Sequence, residues 1–266
     1  MNEHILMCPP DYFGVEYSIN PWMENQIGKV DRKLAQRQWR QFHHPLSQHA
    51  KVELIFPSKG TPDMVFTANC GMVWGSNFIP SRFRHPQRQS EEPHFTKWFR
   101  DKGFDILDLP ENISFEGAGD ILPAYDSSLL WAGGSFRTNP EIHVLLAREL
   151  NCRVISLHLI NPHFYHLDTC FCPLKEGVVL YYPGAFDQLS CHLIEQNTNK
   201  TIAVSDEDAY NLACNAVLID NILFMNSASE SLQEKLKAEG YSVRIVGVSE
   251  FMKAGGANKC LTFSWH

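Results

Sequence analysis

The 266-residue chain has no Pro/Gly/Ser-rich linker, no low-complexity tract and no long run of like charge. Nothing therefore marks a domain boundary, and one domain over residues 1–266 is expected. No apolar run approaches the roughly 20 residues of a membrane-spanning helix, so a membrane is not an expected partner. The N-terminus, Met1-Asn2-Glu3-His4-Ile5-Leu6-Met7, lacks both the basic region and the apolar length of a secretion signal. There is no basic stripe: 23 Lys and Arg stand against 30 Asp and Glu, a net charge of -7, which argues against nucleic acid. The eight cysteines have irregular spacings. Without a secretion signal they read as reduced thiols of a cytoplasmic protein. The glycosylation sequons at Asn112 and Asn199 are then chance matches.

What is present is a chain that is 44% hydrophobic, enough for a sizeable core. Short apolar, β-branched runs predict strands near residues 5–8, 52–56, 72–74, 105–107, 129–132, 153–156, 178–181, 201–204, 216–218, 222–225 and 242–246. Helical patterns fall near 30–44, 93–102, 140–150, 186–196, 207–213 and 229–239. Ser205 with Asp208 approximates a capping box, and Pro140 suits a first helical turn. Strands are too numerous and helices too sparse for a regular βα barrel. A repeated ββαβ-like unit fits the order better, although the units are too dissimilar for periodicity to prove a repeat.

The chemistry gathers in a few motifs. Gly255-Gly256-Ala257-Asn258-Lys259-Cys260 sets a cysteine behind a glycine-rich turn and beside a lysine. A neighbouring positive charge favours the thiolate, which is the nucleophilic form. Phe115-Glu116-Gly117-Ala118-Gly119-Asp120 places two acids around small residues that admit close approach. A solvated loop is one alternative there. A phosphate loop is a weak one, because no Gly-Lys-Ser/Thr follows and the acids would repel phosphate. In Tyr165-His166-Leu167-Asp168-Thr169, strand alternation would put His166 and Asp168 on one face, a carboxylate orienting an imidazole. A buried, satisfied histidine competes with that reading. So does a zinc site from His163, His166, Cys170 and Cys172, against which the ligand spacings count. Thr61-Pro62-Asp63 and Thr67-Ala68-Asn69-Cys70 supply an acid and an amide, or merely a turn aspartate and a strand-end asparagine. Arg88 and Arg137 could each clamp a carboxylate or be solvated surface groups.

In this order, from Leu6-Met7-Cys8-Pro9-Pro10 to Cys260, the motifs resemble the guanidine-modifying enzymes of the pentein superfamily. That group includes arginine deiminase, dimethylargininase, the amidinotransferases and the arginine dihydrolases. Cys8-Pro9-Pro10-Asp11-Tyr12, Ile19-Asn20-Pro21-Trp22-Met23 and Phe66-Thr67-Ala68-Asn69 are most similar to the catalytic domain of cyanobacterial-type arginine dihydrolase. The resemblance implies an α/β fold, a five-bladed propeller of ββαβ units around a polar channel. It implies Cys260 as nucleophile and His166 as general acid/base. Glu116 belongs with these catalytic residues and, together with Asp168, would hold the substrate guanidinium, with Asp63 in the same acidic lining. Arg88 and Arg137 would hold the α-carboxylate, and Asp120 would support the Glu116 loop. No metal or other cofactor is implied, and the expected partner is a small molecule, arginine or a derivative, with a homo-oligomer left open. The further C-terminal domain that such dihydrolases often carry is not expected within these residues.

Asn69 departs from the aspartate that deiminases and dimethylargininases have at this place. An amide offers both donors and an acceptor, so it can hold a neutral ureido group as well as a guanidinium. Two hydrolytic rounds, giving ornithine, carbon dioxide and two ammonia, are therefore expected. One round ending at citrulline is the alternative, with an amidinotransferase less favoured. A non-enzymatic protein of this fold, such as a ribosome anti-association factor, would be expected to lack the Cys/His/acid set.

Overall fold

The strand–strand–helix order of the sequence is realised five times. The computed structural model describes residues 3–110, 112–125 and 129–265; the first two residues of the N-terminal stretch lie outside this range. Packing divides the chain into two units, Met1–Ala68 with Glu207–His266, and Asn69–Asp206. The first unit begins with β1 (His4–Met7), α1 (Arg32–Leu46) and β2 (Lys51–Leu54). The second contains β3 (Gly71–Trp74), β4 (Asn77–Pro80), α2 (Pro86–Gln89), α3 (Glu92–Asp101) and β5 (Asp105–Ile106). It continues through β6 (Ile121–Pro123), β7 (Leu129–Gly134), α4 (Glu141–Glu149) and β8 (Arg153–His158). Its last sheet comes from β9 (Phe171–Pro173), β10 (Val178–Tyr181), α5 (Gln188–Gln196) and β11 (Lys200–Ala203). The first unit resumes at Glu207, within α6 (Asp206–Tyr210), and continues with β12 (Val217–Ile219), β13 (Ile222–Met225), α7 (Glu230–Ala238) and β14 (Ser242–Ile245). It closes with α8 (Ser249–Met252) and β15 (Phe263–Trp265).

The described residues form five three-stranded sheets. In four of them the first two strands pair antiparallel, and the second pairs parallel with the third. A parallel neighbour cannot be reached by a tight turn, so a helix crosses between the second and third strands. The fifth sheet has the same plan split along the chain: β15 runs antiparallel to β1, and β1 parallel to β2. These are the ββαβ units expected from the sequence. Their first strands begin at residues 71, 121, 171, 217 and 263, so the repeat has spacings of 50, 50, 46 and 46.

All eleven expected strands and all six expected helices are present, with shifted ends. Side-chain caps fix several helix starts. Asp31 accepts from the N–H groups of Lys33 and Leu34, Asp187 from Ser190, and Ser229 from Leu232. Pro140 stands one residue ahead of α4, and Asp208 also accepts from Ser229 N at 2.7 Å. The sequence reading missed β4, β6, β9 and β15. These are three- or four-residue strands, too short for alternation to emerge.

Each unit has its own apolar packing. In the 69–206 unit, Ile142 and Leu146 of α4 join a cluster with Met72, Ile79, Phe115, Ile121 and Leu130. Phe78 and Phe99 stack with centroids 3.8 Å apart. In the other unit, Phe13 stacks on Phe251 at 4.8 Å. Gln38 ties α1 to α8 by donating to Ser249 Oγ at 2.8 Å and accepting from Glu250 N at 3.0 Å. No helix among the described residues is long and apolar enough to cross a membrane.

His143 of α4 is buried against β7 and β8, with Nδ1 2.7 Å from Ser156 Oγ and Nε2 3.2 Å from Gly133 O. Burial pushes its pKa down to about 4, with partial opposition from the Gly133 carbonyl. Between the unfolded value of 6.5 and about 4, the unfolded chain binds this proton and the folded chain does not. The His143 contribution to stability is therefore complete above 6.5 and is lost as pH falls towards 4. Urea melts at stepped pH should show this loss. A folded His143→Gln protein should have a flatter profile over the same window, and an unchanged profile would assign the loss to other groups.

Candidate active site

Asn69, Glu116 and His166 belong to equivalent places in three successive repeats. Short 3-10 turns, Thr67–Cys70, Gly117–Gly119 and Leu167–Thr169, lead into β3, β6 and β9. Glu116 and His166 immediately precede their turns, and Asn69 lies in its own. The strand expected to carry His166 and Asp168 on one face is not formed there. Thr169 closes the turn instead: its N–H and its hydroxyl both donate to the His166 carbonyl, at 3.2 and 2.6 Å. Such local bonding by a short polar side chain competes with a strand ladder. Asp168 is wholly buried within the turn, and the carboxylate that meets the His166 ring comes from the neighbouring repeat.

That carboxylate is Glu116, also wholly buried. Its Oε2 lies 2.7 Å from His166 Nε2 and accepts from Arg137 Nη1 at 3.2 Å, while Oε1 accepts from Arg84 N at 3.2 Å. Burial alone would raise its pKa. The charge of Arg137 opposes this most strongly, followed by the hydrogen bond and charge of His166 and the charge of Arg88. Together they hold Glu116 well below the ordinary carboxylate range, and it is ionised. An ionised carboxylate only accepts, so His166 Nε2 carries the proton in this contact. Asp120 differs: burial pushes it up to about 6, against the pull of His166, Thr138 and Leu167 N. Its Oδ1 accepts from Leu167 N at 3.0 Å and so ties the Glu116 loop to the His166 turn.

On the other edge of the imidazole, Asn69 Nδ2 lies 3.5 Å from His166 Nδ1. The amide orientation follows from its oxygen, which accepts from Arg88 Nη1 at 2.8 Å. Arg88 is in turn held by Glu91 through Nε and Nη2 at 2.9 and 2.8 Å, and its guanidinium lies over the Phe83 ring. Arg137 similarly covers the Tyr165 ring. Arg88 and Arg137 are only 3% and 2% exposed, which excludes solvated surface arginines. The 69–206 unit thus brings together Asn69, Arg88, Glu116, Asp120, Arg137 and His166.

The other unit contains Asp63 and Cys260, both 2% exposed. Asp63 Oδ2 accepts from the Tyr17 hydroxyl at 2.8 Å. Cys260 Sγ is 3.1 Å from Asn215 Nδ2. Lys259, the charge beside the cysteine in sequence, acts on Glu3, whose pKa burial pushes up to about 7 while Lys259 draws it back. Asn20 caps the turn Pro21–Met23 and donates to Ala254 O at 3.0 Å. All eight cysteines are thiols. No group of three or more His, Cys, Asp and Glu among the described residues could hold a metal. The two ring nitrogens of His166 face Glu116 and Asn69.

Sequence reasoning missed Asn215, Glu91 and Tyr17. Asn215 lacks a glycine or acidic flank, but it stands two residues before β12, as Asn69 stands two before β3. The 46–50-residue repeat was the signal that could have found it.

Gly117 and Gly119 make the close packing possible. Gly117 has φ +55, and a Cβ there would overlap the Gly71 backbone. A Cβ at Gly119 would overlap Asn69 Nδ2 and lie 3.3 Å from His166 Cγ. Gly119→Ala should displace the amide and lower stability by about 1–3 kcal/mol, the usual cost of overpacking. Denaturant melts check this, and an unchanged midpoint would show that the amide moves aside without cost.

Residues 9–266 match the family model described as N,N dimethylarginine dimethylhydrolase, eukaryotic. The bifunctional arginine dihydrolase/ornithine cyclodeaminase AgrE of Nostoc sp. is 50% identical over 259 residues, 97% of this chain and 37% of that protein. The chain therefore spans little more than a third of that relative. The solved N-terminal domain of ArgZ, a cyanobacterial arginine dihydrolase crystallised with substrate, superposes with a TM-score of 0.98 at 49% identity, covering 99% of this chain and 98% of that one. The dimethylarginine dimethylaminohydrolase of Mycobacterium tuberculosis is 35% identical over 261 residues, 98% of this chain and 85% of that protein. These likenesses agree with the five ββαβ sheets in giving the α/β pentein fold. The chain belongs to the N,N-dimethylarginine dimethylhydrolase family of guanidine-modifying penteins.

Proposed function

We propose that residues 1–266 act as one catalytic domain that hydrolyses the guanidino group of L-arginine twice, giving ornithine, carbon dioxide and two ammonia. The observation that carries this reading is the pair of groups flanking His166. Ionised Glu116 lies on one edge of the ring, and a neutral amide, Asn69, lies on the other. The cyanobacterial relatives named arginine dihydrolase support the same reading.

A guanidinium is planar, resonance-stabilised and permanently charged, so its carbon is a poor electrophile. Glu116 and Asp168, with Asp63 in the acidic lining, would align it and offset its desolvation. Cys260 thiolate would add to the central carbon. The carbon–nitrogen bond would break as His166 protonates the departing nitrogen, and ammonia would leave a thiouronium on the cysteine. His166 would then take a proton from water. The oxygen would bond to carbon, the carbon–sulfur bond would break, and the thiolate would return with citrulline formed. In the second round, thiolate addition to the ureido carbon would expel the second ammonia and leave a thiocarbamate. Hydrolysis of that group would give a carbamate, which loses carbon dioxide to yield ornithine. These steps require no metal or organic cofactor.

Arg137 and Arg88 would take the α-carboxylate, and Arg88 would also fix the Asn69 amide. Asp120 would support the loop that carries Glu116. The substrate is a small molecule, and the reading places the enzyme in the cytoplasm. A single-round deiminase or dimethylargininase is the second reading, favoured by the family description and the mycobacterial relative. Asn69 weighs against it.

Cys260→Ser should abolish turnover of arginine while the protein remains folded, because a serine hydroxyl is hardly ionised near neutral pH. Retained activity would remove Cys260 as nucleophile. The decisive assay incubates the protein with arginine and quantifies ornithine, citrulline and ammonia together. The wild type should give ornithine. Asn69→Asp should complete the first round and release citrulline, because an ionised carboxylate cannot donate to the ureido oxygen. Citrulline as the sole wild-type product would establish the single-round reading instead.

A further inference from the structure

Asn215 is wholly buried in the unit that contains Cys260. Its side-chain oxygen accepts from two backbone N–H groups of the cysteine loop, Ala257 at 3.0 Å and Cys260 at 3.1 Å. Its own carbonyl accepts from Lys259 N at 3.1 Å. Two donors on the oxygen determine which end of the amide is which, and the NH₂ end is left 3.1 Å from Cys260 Sγ. A thiol sulfur is a weak acceptor, whereas a thiolate accepts strongly from a positioned N–H.

We infer that Asn215 is the thiolate-stabilising residue of this enzyme: its amide donates to Cys260 Sγ while its oxygen clamps the loop that presents the sulfur. The inference rests on the reading of Cys260 as nucleophile, and it adds a residue to that reading. The clamp and the donor are separable. Asn215→Asp keeps an oxygen for the two backbone N–H groups and replaces the NH₂ at the sulfur with a second acceptor. The new carboxylate would itself repel a thiolate, so a raised midpoint counts for the inference only together with the wild-type amide titration below.

The test follows alkylation of the Cys260 peptide by iodoacetamide against pH, read by mass spectrometry so that the other cysteines do not interfere. In folded Asn215→Asp the midpoint should rise by at least about one pH unit, roughly tenfold less thiolate at a pH below both midpoints. Turnover of arginine should fall at neutral pH and recover partly at alkaline pH. An unchanged alkylation midpoint in the folded variant would overturn the inference. Whether or not Asn215→Asp folds, NMR of the wild type gives the second test, with no charge added at the sulfur. The Asn215 side-chain amide should shift with the Cys260 alkylation midpoint and lose that titration in Cys260→Ser, and an amide that does not titrate in the wild type would overturn the inference. If the wild type does not turn over arginine, the proposed function fails, while the alkylation midpoint and the amide titration still decide the role of Asn215.

Discussion

Glu116 is a carboxylate without solvent, and its ionisation organises the residues around it. Burial opposes its charge, and the strongest compensation is Arg137, with the His166 hydrogen bond next. An ionised carboxylate buried without such partners would take up a proton. Arg137, Arg84 N and His166 all have hydrogen-bonding places fixed by that negative charge. His166 then presents its other nitrogen to Asn69, and Asn69 takes its orientation from Arg88 and Glu91. The chain of contacts runs through buried groups, where an unpaired charge is costly.

The repeat explains how one chain places these groups. Each first strand is preceded by a short turn, and the residue types there change from repeat to repeat while the backbone plan does not. Asn69, Glu116 and His166 are thus three chemistries on one structural position or its close neighbours. Asn215 and Cys260 occur in the corresponding stretches before β12 and β15. Catalytic variety at constant scaffold requires only that the turns accept polar side chains and close approach. Gly117 and Gly119 meet that requirement where Gly71, Asn69 and His166 come nearest.

Neutral and charged partners divide the proposed chemistry. Glu116 is suited to a guanidinium and to protonated histidine, both cationic. Asn69 can donate to an oxygen and accept from an N–H, which matches a substrate group whose charge disappears after one hydrolysis. The contrast between an ionised acid and an amide on the same ring is the physical basis of the proposed second round.

By itself the sequence determined the class of fold, the six main helices and the residue types of the site. Helical periodicity, capping side chains such as Asp31 and Ser229, and β-branched runs are local signals. Cys260, His166, Glu116 and Asn69 stood out through glycine or polar flanks that are also local. Tertiary structure alone decided who meets whom. Asp168 lies two residues from His166, yet the ring meets Glu116, because a threonine-closed turn replaced the expected strand. Lys259 adjoins Cys260, yet Asn215, 45 positions away, reaches the sulfur. Adjacency along a chain fixes only backbone distance, whereas the direction of a side chain depends on the turn that carries it and on the partners that offset its burial.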